Sequence, residues 1–144
     1  MKTFVVSVIC IVLVSILFCP MVTATPPMPN DVQIVQPDPS LPKELLDFFG
    51  KWEGNGSGIT VFLIVEKIDE EKATVHQYIS GSNAMLQYLL GWQRYEAKVD
   101  KERGKYTIWY TSPIAIVDLE VKSKGKYLNM VIRTLESVRL SRVP

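Results

Sequence analysis

From Trp52 to Val143 the chain is written in short runs of Val, Ile, Leu, Thr and aromatic residues with a period of two, broken by turn residues at near-regular intervals. That pattern leaves little room for helix and points to an all-β barrel or sandwich. Eight strands are predicted, at about 51–55, 59–68, 73–80, 92–99, 105–111, 114–122, 127–133 and 137–143. Four connections have hairpin length: Asp69–Lys72, Asp100–Gly104, Ser123–Lys126 and Thr134–Glu136. The connection Gly81–Gly91 is longer and carries Met85, Leu86, Tyr88, Leu89 and Leu90, so it reads as a lid or short helix.

Residues that face each other across a hairpin share a side of the sheet, which tests these assignments. Pairing Lys122 with Tyr127 sets Val121 against Leu128, Leu119 against Met130 and Val117 against Ile132, one apolar face throughout. The hairpin around Arg103-Gly104 gathers Tyr95, Ala97, Val99, Tyr106, Ile108 and Tyr110 on one side and leaves Arg94, Glu96 and Lys98 on the other. Around Asp69–Lys72 two registers remain, because Val61–Val65 is apolar on both faces. Pairing Ile68 with Ala73, the favoured one, turns Phe62, Ile64, Glu66, Gln77 and Ile79 inward; a one-residue slip turns Val61, Leu63, Val65, His76 and Tyr78 inward. Eight antiparallel neighbours close most economically into an up-and-down barrel, which leaves no bare edge.

Upstream, Phe4–Phe18 is interrupted only by Ser7, Cys10 and Ser15. With Lys2 before it and Val22-Thr23-Ala24 after it, residues 1–24 read as a signal peptide for secretion or delivery to a periplasm. The alternative is an uncleaved membrane anchor, since about 20 apolar residues span a bilayer. Residues 25–40 form a Pro-rich extended arm, with Pro26, Pro27, Pro29, Pro37 and Pro39. The domain proper is 41–144. It opens with a short helix capped by Ser40, with Pro42 in its first turn and an apolar face of Leu41, Leu45, Leu46, Phe48 and Phe49 that stops at Gly50.

Removing residues 1–24 takes away Lys2 alone among charged residues, so 16 Lys+Arg become 15 against 15 Asp+Glu. A neutral domain lacks the basic stripe that nucleic acid requires. Cys10 and Cys19 go with the same segment, leaving no disulfide, thiol nucleophile or cysteine metal site. His76 is the single histidine, so no histidine pair can hold zinc, and its place on a strand predicts an exposed or half-buried polar residue. Gly54-Asn55-Gly56-Ser57-Gly58 has the glycine content of a phosphate loop without its Gly-Lys-Ser/Thr ending and reads as a turn. The expectation is therefore a protein that is not an enzyme and has no cofactor and no metal.

A short helix, then Gly50-Lys51-Trp52 opening the first strand, then the meander, resembles the lipocalin-like (calycin) family over about residues 41–143. Val65-Glu66-Lys67-Ile68, Ala73-Thr74-Val75 and Gly91-Trp92 resemble the compact exported members found in bacteria. The resemblance implies a closed barrel end built from Gly50 and Trp52 beneath an arginine of the last strand. Inward parity through Val138 and Leu140 assigns that role to Arg142. It also implies a small hydrophobic or amphipathic ligand. The residues expected to line its pocket are Phe62, Ile64, Glu66, Gln77, Ile79, Tyr95, Tyr110, Leu119 and Met130, with Glu66 facing Gln77. Met85, Leu86, Tyr88 and Trp92 are expected to form a lid over the mouth or to touch membrane. The competing expectation is a filled, ligand-free barrel acting as an envelope or extracellular interaction module.

Overall fold

The computed structural model describes residues 26–56, 58–81, 91–113, 116–122, 126–133 and 137–144. One helical turn, α1 (Lys43–Leu46), precedes eight strands: β1 (Gly50–Gly56), β2 (Ile59–Ile68), β3 (Lys72–Gly81), β4 (Gly91–Glu102), β5 (Lys105–Thr111), β6 (Ile116–Lys122), β7 (Tyr127–Ile132) and β8 (Ser137–Val143). Each strand pairs antiparallel with the next and β1 pairs with β8, closing the barrel. The expected architecture is thus the observed one. The β6–β7 register also agrees, with Lys122 opposite Tyr127 and Val117 opposite Ile132.

β4 exceeds its expected end by three residues, and the turn explains why. Arg103 (φ 51°) and Gly104 (φ 78°) both take positive φ, which makes a two-residue turn whose twist matches the flanking strands. Pairing therefore continues to Glu102 opposite Lys105.

Around Asp69–Lys72 neither single register holds. Ile68 pairs with Ala73 and Lys67 with Thr74 as favoured, but a bulge at Glu66 then sets Val65 against Val75 and Val61 against Ile79. A bulge adds one residue to one strand and so reverses its side-chain parity beyond that point. Val61, Leu63 and Val65 point into the core with Val75, Gln77 and Ile79, and the expected inward placing of Phe62, Ile64 and Glu66 is corrected to outward. Outside, Phe62 meets Tyr78 edge-on at 6.0 Å and Tyr78 meets Trp92 at 5.4 Å.

The end of the barrel beside α1 is closed by side chains. Leu45 and Phe48 are buried there with Trp52, whose Nε1 donates to the Phe48 carbonyl at 2.9 Å. The Arg142 guanidinium lies 4.3 Å from the Trp52 ring and donates to the carbonyls of Asp47 (2.7 Å) and Phe49 (2.8 Å). The expected cap is corrected: Ser40 gives its amide to Asp38 Oδ1 at 2.8 Å in a preceding turn, and Pro42 stands at the N-cap.

The Pro-rich arm is held against the wall. Trp92 Nε1 donates to the Pro27 carbonyl (2.9 Å), the Gln33 amide to Glu66 Oε1 (3.3 Å), and the Val35 amide to the Glu66 carbonyl (3.0 Å). The bulge takes Glu66 out of the strand ladder, and the arm docks at that residue.

Candidate functional site

An up-and-down barrel sends alternate connections to opposite ends. The last residues of β1, β3, β5 and β7 and the first of β2, β4, β6 and β8 meet at the mouth, away from α1 and Trp52. Inside, polarity gathers on the mouth side. The Tyr110 hydroxyl donates to Gln77 Oε1 and the Tyr95 hydroxyl to Gln93 Oε1. The two tyrosine rings stack at 4.7 Å and 22°. All four residues lie within four positions of the strand ends at the mouth. Burial pushes the Tyr110 hydroxyl well above the ordinary tyrosine range, helped by the neighbouring Tyr95, whose own hydroxyl burial also raises. Both are neutral donors at ordinary pH.

Of the residues expected to line a pocket, Gln77, Ile79, Tyr95, Tyr110, Leu119 and Met130 do face the lumen. Ile79, Leu119 and Met130 are 0% exposed and Gln77 and Tyr110 are 1% exposed, so this part of the lumen is filled by its own side chains. Tyr95 and Gln93 are only half-buried, which places the accessible end of the cluster at the mouth. Gln93 was not singled out from the sequence, although extending the parity of Tyr95, Ala97 and Val99 by one step reaches it. Met85, Leu86 and Tyr88 lie outside the described residues. Trp92 stands on the outer wall, where it binds the arm.

Glu66 and His76 form a second polar cluster, on the outer wall. Glu66 Oε2 lies 2.5 Å from His76 Nε2, Arg94 Nη2 lies 3.7 Å from Glu66 Oε1, and the arm passes over Glu66. His76 is 2% exposed rather than an open polar residue, because β3 parity turns it toward Glu66 and Arg94 beneath the arm. The expected Glu66–Gln77 partnership is replaced by Glu66–His76 outside and Gln77–Tyr110 inside. The buried acidic and basic side chains among the described residues are Glu66 and His76, so the lumen carries polarity without buried charge. No group of three or more metal-ligating side chains occurs among the described residues.

Comparison of the chain with protein-family models, curated proteins and solved structures found no match.

Proposed function

We propose that this is a non-catalytic, exported, lipocalin-like barrel whose mouth receives a small hydrophobic or amphipathic molecule. The observation that carries the reading is the cluster of Gln77, Gln93, Tyr95 and Tyr110 at the mouth side of a lumen whose wall is mostly apolar. A few convergent polar groups in an apolar cavity fix a ligand's orientation. The filled lumen below limits what enters to a short group, and the lack of buried charge favours an uncharged one. A carboxylate or ammonium placed there would lose its hydration with no partner to replace it.

Two probes with one aromatic skeleton test this. N-phenyl-1-naphthylamine is neutral, and 8-anilinonaphthalene-1-sulfonate adds a fixed negative charge. The neutral probe is expected to bind with saturable fluorescence enhancement, to weaken in Tyr95→Ala, and to bind more tightly than the sulfonate. Native mass spectrometry of residues 25–144 purified without detergent then seeks a discrete adduct. A clean protein that ignores both probes would move the function to the outer surface. The second reading, an interaction module, draws on the filled lumen around Leu119 and Met130.

A further inference from the structure

The outer wall of a closed barrel faces water, yet on β2 and β3 it carries buried side chains. Ile64, Glu66, Thr74 and His76 point outward and are 4%, 5%, 8% and 2% exposed. On the same face Phe62, Tyr78 and Trp92 are neighbours in register across β2, β3 and β4 and form a row of aromatic rings. The next row of that face is Ile64, His76 and Arg94. The arm crosses this strip between its anchors at Trp92 and Glu66.

What the wall reads in the arm is main chain. The Trp92 indole can only donate, and it takes the Pro27 carbonyl. At the other anchor two oxygens of Glu66, Oε1 and the carbonyl, accept the amides of Gln33 and Val35. Amides two residues apart point to one side only where the chain is extended. An indole N–H on a proline carbonyl, beside a row of aromatic rings, is a way of holding extended proline-rich peptides, and three of the four residues 26–29 are proline. The arm adds no residue to the buried core, which begins at Leu45, and it joins the domain through a turn in which the Leu41 amide donates to the Asp38 carbonyl at 3.1 Å. The wall is thus a complete site whose occupant is tethered to it.

We propose that the outer wall of β2–β4 is a docking site for an extended, proline-rich segment of another protein, and that the arm fills it in cis. The partner segment offers Trp92 a proline carbonyl and offers Glu66 two alternate amides six and eight residues further on, as the arm does. A short tether holds the arm at the wall at an effective concentration on the order of millimolar, so the partner gains access as the arm is loosened. The site stands whether or not the lumen carries a ligand.

In the chain from residue 25, Gln33→Pro with Val35→Pro removes both arm amides and leaves the barrel sequence intact. A free peptide of residues 26–36 is titrated into this opened chain and into the unsubstituted one, and followed by the indole resonances of the three tryptophans, with that of Trp92 assigned from Trp92→Phe. The opened chain is expected to bind saturably, with the shift confined to Trp92, and at least about tenfold more tightly than the unsubstituted chain, whose arm competes. The same peptide N-methylated at the amides of residues 33 and 35 is expected to lose that binding. No binding to the opened chain up to about 1 mM overturns the proposal, as does equal binding to both chains or equal binding of the N-methylated peptide. A Trp92 shift that instead follows protein concentration, with a dimer mass by light scattering, gives the wall to the arm of a second copy and overturns it too. Val35→Pro alone is a milder opening, and an unchanged urea midpoint in either variant ties the result to the wall rather than to folding.

Discussion

Trp52 is held on two sides, by its hydrogen bond to Phe48 and by the Arg142 guanidinium over its ring, which contributes about 0.5–2 kcal/mol by cation–π attraction. Trp52→Ala removes both together with a fully buried ring. A loss of about 3–5 kcal/mol in urea unfolding is expected, and a loss below about 1 would sink the assignment of Trp52 to the closed end. This pairing was legible in the sequence, because β8 keeps its pairing register without a bulge from Val138 to Arg142. Glu66–His76 was not, since the bulge that turns Glu66 outward leaves no trace in apolar periodicity. Glu66→Leu strands a buried imidazole and should cost about 1–3 kcal/mol, whereas Glu66→Leu with His76→Leu should cost less than the sum of the two single changes. Strict additivity would show that the pair is uncoupled. Tyr110 predicts a pH effect. Its folded-state pKa lies above that of the unfolded chain, so its share of stability is complete below the ordinary tyrosine value of about 10 and is lost as pH rises beyond it. Alkaline unfolding monitored by tyrosinate absorbance should release one phenolate together with the loss of tertiary structure, and Tyr110→Phe should remove that step.

At the scale of elements, strands were easier to read than the covering laid over them. Period-two alternation comes from side chains, and it located all eight strands and set the β6–β7 register to the residue. The arm was legible as extended because its prolines allow little else. Its docking was not, because two of its three anchors are main-chain amides, of Gln33 and Val35, and the third is the carbonyl of Pro27, groups that any sequence supplies. The Arg103-Gly104 turn offers a test at this scale. An arginine at φ 51° carries a steric cost that glycine lacks, so Arg103→Gly should be neutral or stabilising by up to about 1 kcal/mol. Gly104→Ala, at φ 78°, should destabilise by about 1 kcal/mol or more. Thermal denaturation of the two variants decides it, and a reversed order would mean that the hairpin is not built on this turn.

At the scale of the molecule, closure depends on a narrow seam. β1 and β8 pair through Lys51, Trp52 and Glu53, and beyond them Gly54 lies so close to β8 that a Cβ would stand 2.1 Å from the Arg139 carbonyl oxygen. Gly54→Ala must push the strands apart at the seam. We expect about 1–3 kcal/mol of destabilisation with faster amide exchange in β1 and β8 than in β3 and β4, and uniform exchange would argue against a local opening. The glycine was visible in the sequence only as part of a turn-like run. Its role depends on a strand nearly the whole domain away. That distance bears on how the molecule comes into being. Arg142 reaches back 93 and 95 residues to the carbonyls of Phe49 and Asp47, so neither can be satisfied, nor β1 shielded, until β8 has emerged. A nascent chain stopped short of residue 137 has two bare strand edges and an uncovered Trp52, the features that invite aggregation and proteolysis. Ring closure thus acts as a built-in check on completeness, separating finished chains from unfinished ones by whether their ends can meet.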